Sequence, residues 1–319
     1  VISEFVSTIL RYNRGEGLFG SCEAYFGTVE AQGRGTLHCH MLIWMKGNLS
    51  PQKLRDKMNA DATFKSSLFG WLETIIKCEL PDMEPLLADA PVTKPTLDGD
   101  PRTAIPPICP ETMNADDLAE FEEKFKLFVR DLAVACNWHE HRDTCWKYLK
   151  PGEPRDDAHC RMRVDGSTRS FTELDEETGS ILLRRLHPWI NNFNDVVLFL
   201  LQSNMDIKFI GSGPAAKALV YYITDYITKS GLSLYHGLQA ILAAIKKTKR
   251  LRSDGADSEE SRGEYRRSFL IRCINAMTGR LELSSAQVMS FIVGGGDYYT
   301  SHSFAPLYWG DMDHFFPPS

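Results

Sequence analysis

From Tyr25 to Trp44 the chain alternates between two kinds of residue. Leu37, Cys39, Met41 and Ile43 fall at odd positions, and His38 and His40 lie between them. A period of two is that of a strand, whose successive side chains point to opposite faces. Tyr25 to Gln32 precede this run, and Gly33 and Gly35 mark a tight turn between them, so the pattern predicts a hairpin. Its apolar face carries Leu37, Cys39, Met41 and Ile43; the other carries both histidines. Elsewhere the spacing is helical. Leu219, Val220, Ile223 and Ile227 form one stripe across Ala215 to Lys229, with Pro214 suited to the first turn and Gly231 to the C-terminal cap. Leu118, Phe121, Phe125, Phe128, Val129 and Leu132 form another across Asp116 to Trp138.

The rest is read more coarsely. A helix is expected near Ser3 to Tyr12, and two short ones from Leu49 to Lys77. Leu80 to Pro110 is rich in Pro and Asp and reads as a surface excursion or a partly disordered stretch. Met205 to Ile210 reads as a further strand of the hairpin's sheet. Two or three helices finish the chain, broken by the charged stretch Ser253 to Gly263. Strand pair, strand, helix is the order of an antiparallel sheet with helices on one face, an α+β class.

Composition narrows the picture a little. The 319 residues suffice for one large domain or two modest ones. No apolar run approaches membrane-spanning length, and no opening segment has the build of a signal peptide. Eight cysteines without framework spacing suit reduced thiols. A net charge of −6 does not advertise a nucleic-acid binder, but Lys246, Lys247, Lys249, Arg250 and Arg252 cluster in a way that suits phosphate contacts. Arg262, Arg266, Arg267 and Arg272 follow.

Three groups carry candidate chemistry. His38 and His40 present two imidazoles on one strand face, a ready pair of metal ligands. If Glu30 and Gln32 share that face, either supplies an oxygen, completing a facial site with positions open to a substrate. Tyr222 and Tyr226, one helical turn apart, stack on one helix face with Lys229 following. A tyrosine pair is ordinarily packing. Beside a metal site a phenol becomes a candidate nucleophile, helped to ionise by a cation such as Lys229. Finally, His139, His141, Cys145 and Cys160 offer two nitrogens and two sulfurs, the donor set of tetrahedral zinc, with His159 and Cys136 as spares.

Taken together these motifs resemble the HUH endonucleases, and more closely the Rep domain of Helitron transposases. The matching text runs from Tyr25-Phe-Gly-Thr-Val-Glu through His38-Cys-His to Trp44, then Gly179-Ser-Ile-Leu-Leu-Arg-Arg to Asn192 and Asn204-Met-Asp-Ile-Lys-Phe. It continues with Tyr221-Tyr-Ile-Thr-Asp-Tyr-Ile-Thr-Lys-Ser230, Glu282-Leu-Ser-Ser-Ala-Gln-Val and Asp297-Tyr-Tyr-Thr-Ser-His-Ser-Phe. The resemblance implies an HUH-type antiparallel sheet plus a helical and zinc-binding insertion. Residues 1–48 would be the opening helix and histidine hairpin, 49–190 the insertion, 191–252 the remaining core with the tyrosine helix, and 253–319 a helical extension.

The resemblance also implies a rolling-circle transposase Rep domain that nicks and joins single-stranded DNA through a 5′-phosphotyrosine. Mg²⁺ or Mn²⁺ would sit at His38 and His40 with Glu30, or Gln32, as third ligand; Tyr222 and Tyr226 would be the nucleophiles. It further implies a nuclear location and a helicase domain in the full-length protein. The chain opens on Val1 without the strand motif that family members carry upstream, so it reads as a fragment; no phosphate-binding Gly-x-x-x-x-Gly-Lys-Ser/Thr motif occurs in it. The alternatives are a non-catalytic DNA-binding fragment derived from such a transposase, and an unrelated metal-dependent hydrolase using water.

Overall fold

The computed structural model describes residues 1–32, 36–81, 92–111, 114–211, 213–228, 234–253, 262–280 and 285–305. The chain forms two units, Val1–Cys22 with Met45–Val220, and Glu23–Trp44 with Tyr221–Ser319. Strands are few and helices many, a mixed α+β arrangement with one small antiparallel sheet.

The first unit begins with α1 (Ile2–Glu4), which runs on as a π-helical turn through Phe5–Ile9, in place of the single regular helix expected there. Helices α2 (Pro51–Ala60) and α3 (Ala62–Ile75) follow, as the spacing predicts. The long helix α4 (Ala115–Leu132) is opened by Asn114, whose side chain accepts the Asp117 N–H at 2.9 Å, with Asp116 and Asp117 in the positive first turn. It ends in a π-helical turn, Ala133–Asn137. Its predicted stripe is the heart of the core. Val129, Leu132 and Val134 are buried against Leu80, Ile190, Phe193 and Leu198, with Phe125 and Phe128 packed alongside. Burying one such side chain is worth about 1.5–3 kcal/mol. Helix α5 (Asp195–Leu201), capped by Asn194, completes that wall. A short antiparallel ladder pairs β3 (Glu173–Leu174) with β4 (Ile181–Leu182).

One expected strand is not there. Met205 to Ile210 belongs to no sheet among the described residues. Two asparagine side chains take the place of a strand partner. Met205 N–H donates to Asn137 Oδ1 at 3.2 Å and Asn137 Nδ2 donates back to Met205 O at 3.0 Å. Asn192 Nδ2 likewise donates to Ile207 O at 3.2 Å, while Ile207 N–H donates to Asn192 O at 3.2 Å. Met205 and Ile207 thus satisfy their main-chain groups without a ladder. Close by, His187 is buried, its Nδ1 accepting the Trp189 N–H at 3.1 Å. Burial and the nearby Arg185 charge push its pKa down to about 4.

The second unit is built on β1 (Cys22–Gln32) and β2 (Thr36–Met45), the predicted hairpin, with β5 (Tyr298–Thr300) added beyond β1 in the order β2-β1-β5. β5 runs antiparallel to β1, pairing Phe26 with Thr300 and Thr28 with Tyr298. Ser301 ties the edge down by accepting the Tyr25 N–H at 3.0 Å. On the apolar face a Cβ at Gly27 would meet Met41 Cε at 3.2 Å and Cys39 Sγ at 3.3 Å. Gly27 thus lets β2 side chains lie flat over β1, and burial pushes the Cys39 thiol up to about 11. Helix α6 (Gly213–Thr228) carries Pro214 in its first turn and enters this unit at Tyr221. Helices α7 (Leu234–Ser253) and α8 (Arg262–Thr278) pack as a pair, α7 burying the small residues Ala240, Ala244 and Thr248. Helix α9 (Ser285–Ile292) leads into β5. No described helix is long and apolar enough to cross a membrane.

Candidate functional site

The polar face of the hairpin is where the alternation puts it. Glu30 and His40 lie side by side on neighbouring strands, with Oε1 3.4 Å from Nε2. His38 and His40, two apart on β2, have ring centroids 4.7 Å apart. Burial holds the His38 pKa below its ordinary value, against the opposing pull of Glu30, which favours the neutral imidazole that ligates metals. Tyr222 comes to this face from α6: its ring meets the His40 ring edge-on at 5.9 Å between centroids. Half of Tyr222 is exposed, so its ring borders an open surface. Tyr298, quoted above only as part of the matching Asp297-Tyr-Tyr-Thr text and not as a site residue, joins this face. The register sets it opposite Thr28, on the face of Glu30, and it is exposed. Its Tyr-Tyr-Thr context, rich in strand formers, is the signal that could have shown it.

One carboxylate beside two imidazoles is a set of side chains able to ligate a divalent ion while leaving positions open. The Glu30–His40 separation is within a few tenths of an ångström of the edge of an octahedral shell, about 3 Å for metal–ligand bonds near 2.1 Å. His38 is close to His40 without closing a mutual three-donor group. Of the other predicted residues, Tyr226 lies within α6 but its side chain is outside the described residues, as is that of Gln32. Lys229 is outside them altogether. On α7, Lys246, Lys247, Lys249 and Arg250 are exposed, away from the buried Ala240, Ala244 and Thr248; the Arg252 side chain is outside the described residues.

The four-residue cluster in the first unit is tighter. Ligand atoms of His139, His141, Cys145 and Cys160 all lie within 4.8 Å of one another, and among the described residues this is the group of three or more such donors that could hold a metal such as zinc. His139 Nε2 is 3.2 Å from His141 Nδ1, 3.4 Å from Cys160 Sγ and 3.8 Å from Cys145 Sγ. A tetrahedral zinc with bonds of 2.0–2.1 Å to nitrogen and 2.3 Å to sulfur has ligand–ligand edges of about 3.3–3.8 Å. The three edges from His139 fall in or near that range, and the widest separation in the cluster, 4.8 Å, would have to close by about 1 Å around an ion. Both cysteines are buried. The spares are accounted for: His159 pairs with Asp156 through its ring, and the Cys136 thiol faces the Gln202 carbonyl.

The local chain explains the convergence. Trp138 bridges to Ile190, and His139 N–H donates to Trp189 O at 2.7 Å, fixing the strand-like start of the motif. A 3₁₀ turn, Asp143–Trp146, presents Cys145, and a second, Asp157–His159, delivers Cys160. Arg161 N–H donates to Cys145 O at 3.1 Å and draws the two turns together.

Comparison with known proteins reaches one end of the chain. Residues 1–43 match the family model of the Helitron helicase-like domain at the N-terminus. The matched stretch includes Glu30, His38 and His40 and stops well before the tyrosine helix. No curated protein and no solved structure matches the chain.

Proposed function

We propose that the chain is a Helitron-type Rep module that nicks and rejoins single-stranded DNA through a tyrosine. The observation that carries this reading is the Tyr222 ring lying against His40, with Glu30 beside the same histidine, on an open sheet face. Water-based hydrolysis has no use for a phenol at that place. The Helitron similarity of residues 1–43 supports the same class.

Glu30, His38 and His40 would hold Mg²⁺ or Mn²⁺, with Gln32 as the other oxygen donor. A divalent ion bound there supplies charge neutralisation at the scissile phosphate. Tyr222 or Tyr226 loses its phenolic proton, and its oxygen attacks phosphorus in line. A phosphorus–O5′ link is kept, the phosphorus–O3′ bond breaks, and the departing 3′ oxygen takes a proton. The product is a 5′-phosphotyrosine and a free 3′-hydroxyl. Attack by that hydroxyl, or by another strand's, reverses the step and joins ends, so the bond energy is conserved without ATP. Lys229 would stabilise the phenolate and the transition-state charge. The exposed cations of α7 would add salt-dependent affinity for the strand.

Zinc would occupy the His139, His141, Cys145 and Cys160 cluster. Four protein ligands leave no open position, so its part is structural. A nuclear location and a partner helicase domain go with the transposase reading. The test is a labelled single-stranded oligonucleotide incubated with Mn²⁺ and resolved under denaturing conditions. A covalent protein–DNA band that disappears in the Tyr222→Phe/Tyr226→Phe double variant supports the reading. Binding with no adduct leaves a DNA-binding module; free 5′-phosphate ends with no adduct indicate hydrolysis by water.

A further inference from the structure

We propose that Asp157 is the outer carboxylate of the His₂Cys₂ centre, the group that selects the metal-binding nitrogen of His141 and fixes its ring. The inference rests on the zinc assignment above. It starts from the way the two nitrogens of His141 divide. Nδ1 turns toward the cluster, 3.2 Å from His139 Nε2. Nε2 turns the other way, 3.1 Å from Asp157 Oδ1, a charge contact not yet aligned as an N–H···O hydrogen bond, so that a small ring rotation would complete it. An imidazole that gives its Nδ1 lone pair to a metal carries its proton on Nε2, the atom that Asp157 faces. A carboxylate there favours that tautomer, holds the ring plane and makes the ligating nitrogen a better donor. Among the described residues no carboxylate forms an ion pair with His139, so the effect belongs to one of the two histidines.

The carboxylate is not a loose surface group that happens to be near. Asp157 opens the 3₁₀ turn that ends one residue before ligand Cys160, whose N–H donates to the Asp157 carbonyl at 3.1 Å. One short turn therefore supplies both a thiolate and the outer carboxylate. Asp156 locks that turn, accepting the His159 N–H at 3.1 Å. The His141 ring is flanked by Trp146 at 5.3 Å and Trp189 at 5.6 Å between centroids, which limits its rotation about the bond that would swing Nε2 away from Asp157. Asp157 itself is half exposed. As a bare ion pair it would add little stability, since solvent screens it. Its effect should therefore appear in metal affinity rather than in folding of the loaded protein.

The experiment uses the whole chain. Zinc content of the purified protein is measured first, then zinc and Co²⁺ affinity by competition with a chelator, for wild type, Asp157→Ala, Asp157→Asn, Asp157→Glu and the control Asp143→Ala. Asp143 is an exposed residue paired with Arg155, in the neighbouring turn. The expected result is one zinc per chain and a loss of affinity of about 10–100-fold for Asp157→Ala and Asp157→Asn. Asp157→Glu should recover part of it and Asp143→Ala should match wild type. The Co²⁺ absorption should keep its tetrahedral, thiolate-bearing form in every variant, because Asp157 is not a ligand. Affinities of the Asp157 variants within twofold of a zinc-loaded wild type would overturn the proposal. So would a changed coordination spectrum in Asp157→Ala, which would make Asp157 a ligand. A wild type that binds neither zinc nor Co²⁺ would remove the zinc assignment itself, a separate outcome.

Discussion

In the stretch from His139 to Cys160, four donors converge within 4.8 Å of one another, both thiols are buried, and two short turns hold them. On the hairpin face, Glu30 and His40 approach each other, His38 stands beside them, and the side toward Tyr222 is open. The first arrangement is complete within the chain. The second brings one carboxylate and two imidazoles near one another and leaves the rest of the face open. A site that holds a fold together gains from closure, because a spent coordination position cannot be attacked. A site that handles a phosphate needs vacancies, and the protein accepts looser geometry until substrate arrives. On the proposed reading, similar residue types would do different work according to how many donors the local chain can bring together.

The largest effects should follow from disturbing the open site. His38→Ala should lower adduct formation by at least about 10²–10³-fold, the scale seen when one preorganised electrostatic group is lost. DNA affinity should change little, because phosphate contacts elsewhere position the strand. Wild-type adduct yield in that variant, by gel quantification, would remove the metal role of His38. The closed site should respond in the opposite way. Cys145→Ser or Cys160→Ser, or chelation, should lower Tm by about 10 °C or more, as expected when an ion contributing several kcal/mol is withdrawn from a domain of this size. Chelation at the hairpin face should abolish adducts without that shift. Thermal melts with Mn²⁺ and Zn²⁺ added back singly separate the two.

Core and pH effects come next. Leu132 is fully buried in the first unit, so Leu132→Ala should cost about 2–5 kcal/mol by denaturant titration, comparable to losing the zinc. If the metal alone organised the unit, the cost would be far smaller. The smallest effect concerns His187. Its folded pKa of about 4 lies below the 6.5 of an unfolded histidine, so the unfolded chain takes up the proton first. The stability that this neutral ring contributes is fully present above pH 6.5 and is lost as pH falls toward 4. His187→Gln should give a shallower decline over that window.

Much of this was legible in the chain. The alternation around His38 and His40 gave the hairpin, its two faces and the Glu30 neighbour. The apolar stripe from Leu118 to Leu132 gave α4 and the core. The His-x-His-x₃-Cys spacing with the later Cys160 gave the metal cluster. What was not legible depends on partners distant in sequence. Met205 to Ile210 has strand-like composition, but Asn137 and Asn192 satisfy its backbone from far upstream. Tyr298 to Thr300 matched as text but is too short to read as a strand, and becomes one by pairing with the edge of β1. Asp157 carries no signal of its own beyond lying three residues before a cysteine; only the fold sets it against His141.

The central claim is that a phenol on α6 becomes bonded to DNA phosphorus beside the histidine face. The direct measurement is mass spectrometry of the protein after incubation with Mn²⁺ and a single-stranded oligonucleotide, followed by peptide mapping. The account predicts a 5′-phosphonucleotide on Tyr222 or Tyr226, with no mapped adduct in the double phenylalanine variant. A protein that binds the oligonucleotide and retains its zinc yet never carries a nucleotide on either tyrosine would contradict it.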